Sequence, residues 1–223
     1  MSDIVIYSAA IAALAVEILK YIGIFPLKYI KIVLLVQLLT GAAYCFFALD
    51  ILSNFKWYLL SAPLIAYGTY LVSLFIVGTK FNKENLMVKS VRFDPKLQPK
   101  IKAELLRNLL SSSVEEIVFR AIFQFALTRL IGNAYIPAII VCLLFTAAHY
   151  NKNIAIVQML DILFFSIVIS TIFAIFTNVV FTILIHIIRN TFVIIQKYIV
   201  QQKKIERFNH IIRISNKKTG GNV

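Results

Sequence analysis

Long apolar stretches separated by shorter polar segments are the main pattern of this chain. The apolar stretches are continuous rather than alternating, which favours helices over the strands of a membrane barrel. Most of them approach the roughly 20 residues that an α-helix needs to cross hydrocarbon. Seven transmembrane helices are predicted in this way, over residues 4–24, 32–52, 57–78, 103–128, 135–150, 154–176 and 178–198. The expected fold class is an all-α, polytopic integral membrane helical bundle.

Composition supports this fold class. Hydrophobic residues make up 60% of the 223 residues, only 15% are charged, and the mean hydropathy is +0.85. Soluble domains carry roughly 25% charged residues, so a water-soluble surface is excluded. No internal repeat is visible, and a single membrane domain over 1–223 is predicted. It divides into N-terminal helices and a basic loop (1–100), catalytic helices (101–198) and a basic cytoplasmic tail (199–223).

The net charge of +13 is unevenly distributed along the predicted bundle. With seven spans, nearly all Lys and Arg residues fall on one side, and only Lys56 and Arg129 lie on the other. Basic loops tend to stay in the cytoplasm, so a multi-pass cell-membrane protein with a cytoplasmic C-terminus is predicted. The basic loops are expected to contact anionic lipid headgroups, and nucleic acid is not expected as a partner.

Eight charged or polar residues interrupt the apolar spans. Each costs a few kcal/mol in hydrocarbon, so they are expected to face the bundle interior and to pair. Several are spaced four residues apart, which places both members on one helix face. Three separate helices would thus direct polar groups toward one polar intramembrane cavity. The eight residues are Glu115, Glu116, Arg120, His149, Asp161, His186, Arg189 and Asn190.

The types of side chain indicate acid–base chemistry on a carbonyl group. Glu116 shares a helix face with Arg120, which can hold it ionised. Glu115 points about 100° away, and in a dry pocket it is a candidate general base for activating water. A neutral histidine can orient water or protonate a leaving amine, and His186 with Asn190 could donate two hydrogen bonds to one oxyanion. A peptide-bond hydrolase is the resulting hypothesis.

Three short motifs carry a resemblance to a known family. The segments "EEIVFR", "FTAAH" and "HIIRN" resemble the EExxxR, FxxxH and HxxxN/D motifs of the CPBP intramembrane proteases, also called the CAAX protease and bacteriocin-processing or Abi family. They occur in family order over residues 115–190. The resemblance implies that Glu115 activates water with help from His149, and that His186 and Asn190 form the oxyanion hole. It also implies a supporting pair, Glu116 and Arg120.

The resemblance further implies a peptide or a lipidated or membrane-associated protein as substrate, and a role in bacteriocin self-immunity or peptide maturation. Zinc is a possible cofactor, with Glu115, His149 and His186 as candidate ligands. A metal-free glutamate mechanism uses the same residues and is favoured here, because His186 and Asn190 are expected to serve the oxyanion and the chain lacks the HExxH spacing typical of zinc proteases. Two alternatives remain: a non-catalytic immunity protein that binds a bacteriocin, and a membrane scaffold that recruits partners.

Overall fold

The described part of the chain is entirely helical. The computed structural model describes residues 57–78, 95, 97–150 and 154–219, together with positions 12, 15, 16 and 32, and it describes side chains as far as Phe208. No strand occurs among these residues, so the all-α prediction is confirmed for them. The predicted spans 4–24 and 32–52, and most of the basic loop 79–102, lie outside the described residues.

Within residues 57–78 and 97–219, as far as the structure describes them, six α-helices follow one another. A 3₁₀ turn, Trp57–Ser61, leads into α1 (Ala62–Ile76). Helix α2 (Gln98–Glu116) continues through a π-helical segment, Ile117–Gln124, into α3 (Phe125–Ile131). The last three are α4 (Tyr135–Ala148), α5 (Ile156–Phe176) and α6 (Val179–Thr219).

Local sequence explains where these helices end. Gly132 closes α3 in the left-handed conformation, with φ of 71°, which glycine adopts without a steric penalty. The side-chain oxygen of Asn133 then accepts hydrogen bonds from the backbone N–H groups of Tyr135 and Ile136, at 2.7 and 3.2 Å. These two bonds satisfy free donors in the first turn of α4. The connection between α3 and α4 is therefore only three residues long.

Three helices in the described residues are long and apolar enough to cross a membrane: Trp57–Ile76, Ile156–Phe176 and Val179–Phe208. Helix α4 is apolar but has only 14 residues. Helix α2 begins at Gln98, before the predicted span, and its first turns are charged. Helix α6 continues to Thr219, past the predicted end at 198. Residues 179–219 contain no glycine or proline that would end it. The count of seven spans stays a prediction.

Packing places α2 and α6 side by side in opposite directions. Helix α4 packs along α5, and both α1 and α2 pack along α6. Three apolar clusters in the described residues support these contacts. The first joins the start of α1 to α5 and α6, the second joins α2 and the π-helical segment to α4, and the third joins the start of α2 to α6. The polar residues of the site lie on helices that meet between the first two clusters. Buried members of these two are Ala66, Ile169 and Ile185 in the first and Val114, Phe119 and Val141 in the second.

Candidate active site

Glu116 and Arg120 form an ion pair that is completely buried. Arg120 Nε lies 3.5 Å from Glu116 Oε2, and both side chains are 0% exposed. The guanidinium also donates a 3.1 Å hydrogen bond to Ser166 Oγ, and its carbon lies 4.4 Å from the centroid of the Phe145 ring. One cation thereby connects the π-helical segment to α4 and α5, which fits the supporting role expected of this pair.

The π-helical segment directs two polar side chains toward α5. Its last backbone bond runs from Phe125 N–H to the carbonyl of Arg120, five residues earlier, so the helix turns less per residue here than in an α-helix. Gln124 Nε2 donates to the carbonyl of Ser170 at 2.9 Å, one turn beyond the contact of Arg120 with Ser166. Glu116 is the residue directly before the π-helical segment, and its ion-pair partner Arg120 lies inside the segment.

His186 lies between the two glutamates. Its Nδ1 is 2.8 Å from Glu116 Oε1, and its Nε2 is 3.9 Å from Glu115 Oε2. A carboxylate only accepts hydrogen bonds, so the hydrogen in the short contact belongs to Nδ1. Glu116 therefore fixes the orientation of the imidazole and leaves Nε2 facing Glu115. This contact adds a second function to Glu116, which pairs with Arg120 as well.

His149 approaches the same carboxylate from the end of α4. Its Nδ1 donates a 2.8 Å hydrogen bond to the carbonyl of Phe145, one turn earlier, and its Nε2 lies 3.7 Å from Glu115 Oε2. Because a carbonyl only accepts, the neutral ring carries its hydrogen on Nδ1 and an electron pair on Nε2. Both histidines thus present Nε2 to one oxygen of Glu115.

Exposure separates a closed side of the cluster from an open side. The side chains of Glu116 and Arg120 are fully buried, whereas those of Glu115 and His149 are 12% and 23% exposed. Glu115 and His149 therefore keep some accessible surface, whereas Glu116 and Arg120 keep none. The sequence predicted that the two carboxylates point in different directions around the helix. In the structure they also differ in their sets of contacts and in exposure.

Asn190 lies one helical turn beyond His186 and contacts α2. Its Oδ1 accepts a 3.0 Å hydrogen bond from Arg189 Nη1, and its Nδ2 donates to Ser112 Oγ at 3.4 Å. Ser112 in turn donates to Asn108 Oδ1 at 2.9 Å. The structure thus brings Glu115, Glu116, Arg120, His149 and His186 into one cluster and links Asn190 to the same helices through Ser112.

Neutral polar residues that support the cluster were missed from the sequence. Ser166 and Ser170 lie four residues apart in the apolar helix α5, opposite Arg120 and Gln124, which are also four apart. The two serines carry no charge and belong to none of the three motifs. Their four-residue spacing within an apolar helix is the only signal in the sequence that indicates them.

The types of donor atom in the cluster suit a metal ion, but the distances between them are too long. Two imidazole nitrogens and a carboxylate are ligands that zinc accepts, and tetrahedral bonds of about 2.0 Å would place ligand atoms about 3.3 Å apart. The separations of 3.7 and 3.9 Å from Glu115 Oε2 are wider. No group of three or more His, Cys, Asp or Glu side chains within the described residues has the geometry of a metal site.

Comparison with known proteins matches residues 101–192 to a family model described as "Type II CAAX prenyl endopeptidase Rce1-like". This segment is an Rce1-like domain. It runs from α2 into α6 and contains all six candidate residues. No curated protein and no solved structure matches the chain significantly. The Rce1-like domain supports assignment to the CAAX-type intramembrane protease family, and together with the three apolar helices it indicates a membrane protein.

Proposed function

We propose that this protein is an intramembrane endopeptidase that hydrolyses a peptide bond in a small membrane-associated peptide or protein, with Glu115 as the general base. One observation carries the proposal. Within the Rce1-like domain, an accessible carboxylate oxygen faces the Nε2 atoms of two histidines, at 3.7 Å from His149 and 3.9 Å from His186. Each histidine is held from its Nδ1 side, so its orientation is fixed before any substrate binds.

Water fits between Glu115 and His149. Their facing atoms are 3.7 Å apart, too far for a direct hydrogen bond, and an oxygen about 2.8 Å from each can bridge them. Such a water donates one hydrogen to Glu115 and the other to the electron pair of His149. Glu115 removes the first proton as the water oxygen attacks the carbonyl carbon of the substrate. General-base catalysis of this kind contributes about 10²- to 10⁴-fold.

The tetrahedral intermediate then needs donors for its oxyanion. Asn190 can donate from Nδ2. His186 can donate from Nε2 only as an imidazolium, because its Nδ1 hydrogen is already committed to Glu116. The C–N bond breaks when the proton held by Glu115 passes to the leaving nitrogen, which yields a carboxylic acid and an amine, and the acid then loses its proton to solvent.

The biological role that fits this activity is bacteriocin self-immunity or peptide maturation, with a lipidated or membrane-anchored peptide as substrate. Helix α6 places Lys197, Lys203, Lys204 and Arg207 beyond the site along its axis. These residues are suited to anionic lipid headgroups, each contributing about 1 kcal/mol of attraction near the surface. A substrate held at the same membrane would meet the site without leaving the bilayer.

Reconstituted protein in lipid vesicles tests the proposal. Two sets of internally quenched fluorescent peptides serve as probes, one with a farnesylated cysteine and one anchored by an N-terminal acyl chain. We expect cleavage of a peptide probe by the unaltered protein and a loss of at least about 100-fold in Glu115→Gln, which removes the base and keeps the side-chain shape. Arg129→Met, an exposed change on α3, is the matched control and should cleave normally.

Two outcomes would contradict the proposal. Cleavage by Glu115→Gln at the normal rate would remove Glu115 from its assigned role. Failure of the unaltered protein to cleave either probe set, with protection against a bacteriocin preserved in Glu115→Gln cells, would favour a non-catalytic immunity protein. Metal dependence is tested with 1,10-phenanthroline. We expect unchanged activity, and a loss that zinc restores would assign the site to a metalloprotease.

A further inference from the structure

Arg189 is an arginine that the proposed chemistry does not use, although it lies directly beside Asn190. It is nearly buried, with 9% of its side chain exposed. Its guanidinium contacts three helices: Nη2 bonds Asp161 Oδ2 on α5 and Ser73 Oγ on α1, the latter at 2.8 Å, and Nη1 bonds Asn190 on its own helix at 3.0 Å. The group also lies over the Phe165 ring, 4.8 Å from its centroid.

This contact determines how the amide of Asn190 is oriented. A guanidinium only donates hydrogen bonds, so the atom it contacts must be the amide oxygen. A flipped amide would place its NH₂ group against the cation. With the oxygen held by Arg189, the NH₂ group is directed toward Ser112 Oγ, which uses one of its two hydrogens. The second hydrogen remains for a substrate oxygen.

Stability alone is a weak explanation for this network. A buried ion pair costs desolvation that its attraction often fails to recover. In addition, Asp161 Oδ1 and Arg189 Nε are buried with no hydrogen-bond partner among the described residues. Each unsatisfied polar atom costs about 1–3 kcal/mol. A role in orienting Asn190 therefore explains this network better than a role in stabilising the fold.

We propose that Arg189, held by Asp161 and Ser73, is a positioning residue that turns the amide N–H of Asn190 toward the oxyanion of the reaction. This inference rests on the proposed endopeptidase function. It assigns Arg189 no contact with substrate, and its whole effect passes through Asn190. The Phe165 ring adds a second link, because it contacts both the guanidinium and the His186 ring, whose centroid lies 4.9 Å from its own.

The test must separate positioning from structural support. Arg189→Met alone leaves the charged and mostly enclosed Asp161 without its partner. This would lower stability whether or not Arg189 positions Asn190. The pair variant Arg189→Met/Asp161→Leu removes both charges. We expect the pair variant to unfold in detergent within a few degrees of the unaltered protein, and to cleave the peptide probe with kcat at least 10-fold lower and KM within twofold. An interaction made only in the transition state lowers kcat without raising KM.

A cycle with Asn190→Ala completes the experiment. We expect Asn190→Ala alone to lose about 10²- to 10³-fold in kcat, as removal of an oxyanion donor does. In that background the pair variant should lose less than a further twofold. Full activity in the pair variant would make the network purely structural and overturn the inference, as would losses that multiply with Asn190→Ala. If the unaltered protein cleaves no probe, the endopeptidase proposal fails and the inference fails with it.

Discussion

At the scale of single residues, the two adjacent glutamates have different sets of partners. Glu116 is held between Arg120 and His186, whereas Glu115 faces the Nε2 atoms of both histidines. Adjacent positions on one helix thus give one enclosed carboxylate and one partly exposed carboxylate. The enclosed group orients the imidazole, and the partly exposed group is the one to which we assign proton exchange with water.

Removal of Arg120 should destabilise the fold. Arg120→Leu leaves Glu116 charged inside the protein with only His186 to balance it, and we expect a loss of about 3–5 kcal/mol in the free energy of unfolding. Thermal unfolding of the purified protein in detergent measures this loss. Ser166→Ala removes one hydrogen bond to the same guanidinium and should cost only about 1–3 kcal/mol. A normal melting temperature in Arg120→Leu with selective loss of cleavage would instead give Arg120 a direct part in the chemistry.

At the scale of helices, the π-helical segment lies between the turn that carries Glu115 and Glu116 and the residues that contact α5. Glu116 ends the regular α-helix, and Arg120 and Gln124 follow inside the segment, where both contact α5. π-Helical turns are uncommon and frequently accompany functional sites. Here the segment keeps two polar side chains directed at α5 while the preceding turn directs its carboxylates at α4 and α6.

Deletion of Ala121 tests this function of the segment. One residue fewer favours ordinary α-helical hydrogen bonding and leaves Arg120 and Gln124 three residues apart, whereas Ser166 and Ser170 stay four apart, a mismatch of about 1.5 Å along the helix axis. Gln124 should then lose its bond to Ser170, and the melting temperature in detergent should fall by at least the equivalent of about 1–3 kcal/mol. An alanine inserted between Gly132 and Asn133 changes chain length in an exposed turn and should be tolerated. Equal stability of both variants would refute the role assigned to the π-helical segment.

The sequence predicted the helices of the site better than it predicted the contacts between them. Spacing of four residues identified Glu116 with Arg120 and His186 with Asn190, because both members of each pair lie on one helix. It could not assign His186 to Glu116 or His149 to Glu115. Those contacts depend on how α2, α4 and α6 are rotated against each other, which the π-helical segment and the packing of apolar side chains decide.

At the scale of the whole molecule, the Rce1-like domain depends on helices that lie outside it. Ser73 on α1 bonds Arg189, although the family match begins at residue 101. In the 3₁₀ turn that leads into α1, the Tyr58 hydroxyl accepts a hydrogen bond from Asn178, the residue directly before α6, at 3.1 Å. Helix α1 therefore packs along α6 over its length and holds the helix that carries His186 and Asn190. The hydropathy of α1 predicted a span, but no feature of its sequence predicted these two contacts.

The orientation of the molecule in the membrane is predicted by its basic residues. The end of α6 carries Lys203, Lys204 and Arg207, and such residues are retained in the cytoplasm. Green fluorescent protein fused to the C-terminus should therefore fluoresce, and alkaline phosphatase fused there should be inactive. The same reporters fused at Gly132, in the α3–α4 turn predicted to lie on the other side, should give the opposite pattern. An active phosphatase at the C-terminus together with a fluorescent protein at Gly132 would contradict the predicted topology.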